Sequence, residues 1–170
     1  MATKWNLDPT HSEITFKVKH MMISNVKGSF RNFNAAIEAD DDTFKNAKTT
    51  ATIETDSIFT NNTDRDNHLK SAEFFNTEAN PTITFESQAL NDTITGNLTV
   101  NGITKPITLD VDFGGINKDP WGNTKAGFSF EGKISRKDFG LNWNATLEAG
   151  GVMVSDDVKI AGELQFVKQA

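Results

Sequence analysis

Apolar and polar residues alternate with a period of two through most of this chain. In Ile14-Thr15-Phe16-Lys17-Val18-Lys19 the even positions are apolar and the odd ones polar, the signature of a strand with one dry face and one wet face. The same spacing recurs at Ile83/Phe85, at Ile94/Leu98/Val100, at Ile107/Leu109/Val111/Phe113, at Phe128/Phe130/Ile134 and at Val158/Ile160/Leu164/Phe166. Clean alternation of this kind belongs to half-buried antiparallel strands. A further strand around Ala47 to Ile53 alternates small residues with Thr and Lys, and a less regular one spans Phe30 to Ile37. The pattern predicts about eight strands.

Turn chemistry joins them. Asn101-Gly102 sits between two alternating runs, and that dipeptide favours the positive φ angles of a tight type I′ hairpin. Asn91-Asp92 and Asp119-Pro120-Trp121-Gly122-Asn123 mark two more connections. With this many strands, closure into a barrel removes unpaired edges that an open sheet would leave. One stretch breaks the alternation: Asn62 to Phe75 reads as a helical insertion, with Thr63 and Asp66 spaced as a capping box. Leu69 is expected to face the barrel, with Phe74 and Phe75 following as a plug. No repeat or linker divides the 170 residues, and 36% apolar content supports a sizeable core, so residues 1–170 are expected to form one domain.

Composition sharpens this picture. Thirteen Phe and three Trp stand against no Tyr; Phe carries no polar tip, so the aromatic surface asks for dry surroundings. The formal charge is −6 and the basic residues are scattered along the chain, which gives no footprint for nucleic acid or anionic headgroups. The absence of Cys excludes disulfides and thiolate chemistry. The amino terminus shows no basic segment followed by an apolar run, and nowhere do 18 apolar residues follow one another. The expectation is a soluble, cytoplasmic protein without stable membrane insertion, a processed secreted or periplasmic form staying open.

An ordered series of short segments runs nearly end to end: Trp5-Asn6-Leu7-Asp8-Pro9-Thr10-His11-Ser12, then His20, Val26, Gly28 and Phe30, then Arg65-Asp66-Asn67-His68-Leu69-Lys70-Ser71 and Phe74-Phe75. It continues through Pro81-Thr82-Ile83-Thr84-Phe85-Glu86-Ser87, Gly96-Asn97-Leu98-Thr99-Val100, Gly102-Ile103-Thr104-Lys105-Pro106, Arg136 to Trp143 and Asp157-Val158-Lys159-Ile160. This series resembles the YceI-like family of lipid-binding proteins. The resemblance implies an all-β, eight-stranded antiparallel lipocalin-like barrel that holds a polyisoprenoid chain, an isoprenoid quinone or a polyprenyl compound, for storage or transport without catalysis. It also implies no cofactor other than that lipid, and, with the general preference for twofold symmetry, a homodimer. The chain departs from the family at Asn101, where His is frequent, and at Asn76, where Asp is frequent; any role of a charge or imidazole there is not carried over.

An eight-stranded barrel either fills itself with side chains or holds one small ligand, and the pattern alone leaves both open. Small residues on the dry faces, such as Ala51, Ser87, Gly96, Gly132 and Gly162, would leave a slot, although strand glycines equally mark bulges. Candidate lining residues are Phe16, Val18 and His20 on the first long run, Phe30 on the next, and Leu69, Phe74 and Phe75 in the insertion. Phe85, Leu98 and Leu109 follow on the middle strands, then Phe128, Phe130, Phe139 and Trp143. Each buried methylene is worth about 0.8 kcal/mol, but a lipid tail leaving a bilayer exchanges one apolar medium for another, so fit and headgroup contacts set the net affinity.

Polar candidates are few. His20 shares the phase of Phe16 and Val18, so it either meets a headgroup at a barrel mouth or is a satisfied structural histidine. His11 reads as a turn residue bonded to backbone. His68, Arg65 and Asp66 either line an entrance or tie a helix to the barrel through an ion pair. The three histidines lack the i, i+4 spacing of a helical zinc site, and Asp40-Asp41-Asp42 lacks the glycine and terminal Glu of a calcium loop, so no metal is expected. No nucleophile elbow, phosphate loop or dinucleotide fingerprint is present, so no catalytic residue is assigned. Arg136 and Asp138 are expected to brace a strand corner, and Trp121 and Trp143 to serve as core or cavity-wall groups. The alternatives to an isoprenoid carrier are a fatty acid or fatty amide carrier, an enzyme using His20 or His68 on a bound lipid, and a filled barrel acting as a scaffold.

Overall fold

The computed structural model describes residues 2–21, 23–141 and 154–169. Its strands are β1 (Thr3–Leu7), β2 (Glu13–His20), β3 (Ser24–Phe30), β4 (Phe33–Ala39), β5 (Lys48–Glu54), β6 (Ile58–Phe59), β7 (Thr82–Ser87), β8 (Thr93–Val100), β9 (Ile103–Lys118), β10 (Thr124–Ser135) and β11 (Val154–Lys168), with one helix, α1 (Thr63–Lys70). All pairings are antiparallel, and the sheet closes where β1 meets β11.

The eleven segments make an eight-stranded antiparallel barrel, because six of them are halves of three long bent strands. β1 and β2 share one edge of β11, with Leu7 opposite Phe166 and Glu13 opposite Glu163. β4 pairs with β1 and β3 with β2, while β5 pairs with β4 and β6 with β3. Each bend shifts the phase of the dry face. Trp5 and Leu7 point inward at odd positions, Phe16 and Val18 at even ones; Phe30 is inward at an even position, Ala35 and Ile37 at odd ones. A one-residue slip would otherwise turn the hydrophobic set to solvent, so the short breaks at Pro9–His11, 31–32 and Thr55–Ser57 keep both halves facing the core. Backbone bonds bridge them, from Asp8 N to Gln165 O (2.8 Å), Arg31 N to Ser57 O (3.1 Å) and Glu54 N to Asn32 O (3.0 Å). The single strand expected across Phe30 to Ile37 is thus two, split at the phase change.

The β8–β9 hairpin turns on Asn101 and Gly102 at φ +55° and +75°, as the type I′ expectation requires. In α1 the cap is one residue earlier than the Thr63/Asp66 spacing implied: the Asn62 side chain accepts from Arg65 N at 3.0 Å. Asp66 is engaged elsewhere, its carboxylate accepting from Thr60 N (2.8 Å) and Thr60 Oγ1 (2.5 Å).

One barrel end carries α1, the β2–β3 turn and the start of β11. The other is sealed by an aromatic cluster in which Phe113 and Phe128, both in the alternating runs, meet Trp5 and Phe44, which the alternation did not single out. Phe44, on the loop between β4 and β5, lies 5.1 Å from Trp5 and 5.1 Å from Phe128, centroid to centroid, and Phe128 stacks on Phe113 at 5.0 Å. Phe44 holds φ +61°, unusual for a bulky residue, and the turn that imposes it is locked by Asp41, whose carboxylate accepts from Thr43 N (2.9 Å) and Thr43 Oγ1 (2.5 Å). The Asp40 to Asp42 run is therefore a turn. Trp121 is not a core or wall group: it is 84% exposed at the β9–β10 tip, because the Asp119 carboxylate accepts from Trp121 N and Asn123 N, both at 2.9 Å. That closed turn leaves the indole no inward route.

Candidate functional site

Inside the barrel is a cavity of about 570 Å³, within the usual range of small-molecule sites. β2 contributes Phe16, Val18 and His20, β3 Phe30, β7 Phe85, β8 Leu98, β9 Leu109 and β10 Phe128 and Phe130; Leu69 comes from α1, Phe74 and Phe75 from the segment after it, and Phe139 from the turn Arg136–Phe139 after β10. Trp143 lies outside the described residues. The wall also includes Ile37, Ile53 and Ile58, which share the dry-face phases of β4, β5 and β6, and Thr49 and Arg136, which no apolar period could reveal.

The lumen stays open because aromatic rings lie along its wall. A methyl group on Gly28 would come within 2.8 Å of two Phe16 ring carbons; on Gly96 it would come within 2.6 Å of Phe85 Cζ, and on Gly162 within 2.6 Å of Phe130 Cζ. Gly28 is directly opposite Phe16, and Gly162 opposite Phe130. The inward glycines therefore do not themselves border the slot as bare wall. They let the neighbouring ring lie flat, and the flattened rings make the slot.

Polar groups of the wall gather at the helix end. Thr60 is buried between β6 and α1, where Arg65 Nε donates to its Oγ1 (2.8 Å) and Arg65 Nη2 to its carbonyl (2.6 Å). Together with the Asp66 contacts, this fastens α1 through hydrogen bonds to Thr60; among the described residues, the ion pair from the helix to the barrel is made by Lys70 with Asp56 (3.6 Å), not by His68, Arg65 or Asp66. Asp64, Arg65, His68 and Leu69 of the same helix line the cavity, whereas Asp66 does not. His68 Nε2 bonds Glu73, and its ring stands edge-on to Phe74 at 5.0 Å. His20 also lines this end, and its imidazole has no hydrogen-bond partner among the described residues. His11 is remote: its Nδ1 bonds the Asp8 carboxylate (2.8 Å) and Thr10 Oγ1 (3.1 Å), not backbone as expected, because Asp8 caps the same turn.

Arg136 is 3% exposed. Its guanidinium donates to the carbonyls of Leu141 (2.6 Å), Ser155 (2.9 Å) and Val154 (3.2 Å), tying both flanks of the 142–153 connection. Burial lowers its pKa, opposed by the nearby Asp156. The expected partner Asp138 is exposed; Asp156 braces the corner instead, accepting from Ser135 Oγ (2.5 Å) and Lys137 N (3.1 Å). These hydrogen bonds, that from Ser135 foremost, outweigh its own partial burial and hold the Asp156 carboxyl below the usual range. Deeper in the lumen, the Thr49 hydroxyl is buried with no hydrogen-bond partner among the described residues. Among the described residues no group of three or more His, Asp or Glu could hold a metal ion, and no helix is long and apolar enough to cross a membrane.

The sequence profile of the YceI-like domain matches residues 5–166. The chain belongs to the YceI-like family. A UPF0312 protein of Staphylococcus epidermidis is 44% identical over 166 residues, covering 96% of this chain and 97% of the relative. The structure resembles that of the YceI protein of Campylobacter jejuni (TM-score 0.76, 35% identity, 89% of this chain and 90% of that one). It also resembles a polyisoprenoid-binding domain from Saccharophagus degradans implicated in plant cell wall breakdown (TM-score 0.74, 13% identity, 97% and 98%). The last comparison bears on the fold alone. Against the YceI-like pattern, the two departures are turn positions: Asn76 and Asn101 have φ +47° and +55°, a region Asn tolerates well. Asn101 is also a cross-brace, accepting from Asn80 Nδ2 at 2.9 Å and donating to the Phe139 carbonyl at 3.3 Å.

Proposed function

We propose that this protein binds a single long-chain isoprenoid lipid, such as an isoprenoid quinone or a polyprenyl compound, inside the barrel and stores or carries it without chemical change. The observation that carries this reading is a cavity sealed at one end by aromatic rings, apolar along its length, and polar at the helix end. Such a shape takes a tail lengthwise and leaves its oxygenated head near His20, Arg65 and His68. The barrel architecture is shared with a polyisoprenoid-binding domain of Saccharophagus degradans, so the fold is compatible with this ligand class.

A branched, unsaturated chain suits a wall of flat Phe rings and β-branched side chains, which offers breadth where a straight acyl chain would leave gaps. An enzyme acting on a bound lipid would draw on His20 or on His68, whose Nε2 bonds Glu73, and would lose turnover on replacement of that imidazole.

Organic extraction of natively purified protein, followed by mass spectrometry, tests the proposal. A stoichiometric isoprenoid is expected. A straight-chain acyl compound would overturn the ligand class, and an empty extract together with no uptake of added quinone would overturn the carrier reading.

A further inference from the structure

Strand register collects lysines that lie far apart in the sequence. Lys133 on β10 is opposite Lys159 on β11, Lys159 is opposite Lys17 on β2, and Lys17 is opposite Lys27 on β3. Their neighbours Ile134, Val158, Ile160, Phe16, Val18 and Val26 line the cavity, so all four lysines stand on the outer surface, in one row across four adjacent strands. Lys19 follows on the same face of β2, nearer the mouth. Of this row only Lys133 has an ion-pair partner among the described residues, Asp157 at 3.6 Å. Like charges placed directly opposite one another destabilise a sheet. Three of the four sit on strands paired on both sides, so they do not serve to protect an edge.

The row is set against an acidic one. Nearer the sealed end, the same outer surface carries Asp110 opposite Glu131 and Glu163 opposite Glu13. A chain of net charge −6 thus concentrates positive charge beside its cavity mouth. The scatter of basic residues along the sequence, which argued against anionic headgroups, does not survive folding.

Beyond the lysines, the β2–β3 turn ends the barrel with apolar side chains in solvent: Ile23 is 81% exposed and Met21 41%. The turn is fixed to the mouth, since Ile23 N donates to the carbonyl of the cavity-lining His20 at 3.2 Å. An apolar tip ahead of a basic belt matches the layering of an anionic bilayer, where headgroup charge lies outside the acyl region.

From this arrangement we infer that the protein docks mouth-first on an anionic lipid surface, with Met21 and Ile23 entering the headgroup layer and Lys17, Lys19, Lys27, Lys133 and Lys159 resting on its phosphates. The acidic rows point the sealed end away. The docked orientation faces His20 and α1 toward the bilayer, so an apolar ligand would pass between membrane and lumen without crossing water. Docking itself needs no ligand in the cavity.

The test is flotation of purified protein with vesicles of phosphatidylcholine alone or mixed with phosphatidylglycerol. Flotation is expected with the anionic vesicles only, lost at high salt as surface charges are screened. Each lysine at such a surface contributes about fivefold in partitioning, so the triple variant Lys17→Gln/Lys27→Gln/Lys159→Gln should lose on the order of 100-fold. Ile23→Ser should lose several-fold with charge unchanged. Lys45→Gln/Lys48→Gln/Lys118→Gln, an equal charge change at the sealed end, should float like the parent. Equal flotation with both vesicle types, or equal losses from the two triple variants, would overturn the inference. A protein that yields an isoprenoid on extraction yet never floats would keep the carrier reading and remove the docking one.

Discussion

Gly28→Ala is the sharpest probe of how the lumen is kept open. The added methyl meets the Phe16 ring, with two ring carbons at 2.8 Å, and no backbone atom is among its nearest neighbours. The ring can therefore relieve the overlap by leaving the wall, and the only open direction is the lumen. A displaced phenyl group occupies roughly 100–150 Å³, judged from cavities that accept benzene, against a cavity of about 570 Å³. That space corresponds to about one prenyl unit of five carbons, or about 4 kcal/mol of gross transfer from water. The strain should cost about 1–3 kcal/mol of stability, which thermal unfolding reads separately. Delipidated protein would be titrated with prenyl alcohols of increasing length. Parent affinity should rise with each unit until the lumen is full, and Gly28→Ala should level off about one unit earlier. Gly28→Ala/Phe16→Leu, with a smaller side chain to displace, should recover the lost unit. Identical length profiles for parent and Gly28→Ala would refute the claim that flat rings make the slot.

Other groups lead to further expectations. Burial opposes ionisation of Asp8, but hydrogen bonds from Lys125 (2.6 Å), Thr10 and His11 prevail and hold its carboxyl well below the usual range. A depressed carboxyl stabilises the fold above its unfolded pKa of about 3.9 and loses that contribution as pH falls. The stability difference between parent and Asp8→Asn should therefore be on the order of 2 kcal/mol at pH 6 and shrink steadily below about pH 5; a difference that grew on acidification would contradict this. Arg136→Lys should destabilise by about 2–4 kcal/mol in denaturant unfolding, because one ammonium cannot replace the planar donor set that serves three carbonyls. A neutral result would show that the tie between Leu141 and the start of β11 does not depend on it. Thr49→Val should stabilise delipidated protein by about 1 kcal/mol, since the hydroxyl is buried without a partner; a loss of Tm would mean that the hydroxyl is satisfied in solution.

Where each side chain's role is local, the sequence was informative. Period-two runs placed the dry faces of β2 and β7 to β11, and those faces are the cavity wall. Asn101-Gly102 specified its own turn. The bends escaped because the phase changes fall within short polar stretches, so Phe30 to Ile37 read as one irregular strand. The cap of α1 was displaced because Asn62 and Thr63 are both good caps, and only the Asp66–Thr60 contact decides between them. Phe44 carries no periodicity, being a lone apolar residue in a polar loop, yet it seals the barrel. Trp121 shows the converse: a large apolar residue is carried outward by the Asp119 turn. Arg136 finds its acceptors 5, 18 and 19 residues away, and the lysine row exists only through register. Non-local pairing of this kind leaves no trace in a single sequence.

The most direct test of the account is where a bound chain lies. Delipidated protein would be loaded with two photoreactive prenyl probes, one bearing a diazirine at the tail tip and one near the head, and the crosslinked residues mapped by mass spectrometry. The tail probe should label residues near the sealed end, such as Phe128 and Leu109, and the head probe His20, His68 or Phe75. Labelling confined to outward-facing positions, or a head probe attached beside Phe44, would contradict a lipid held lengthwise in the barrel with its head at the helix end.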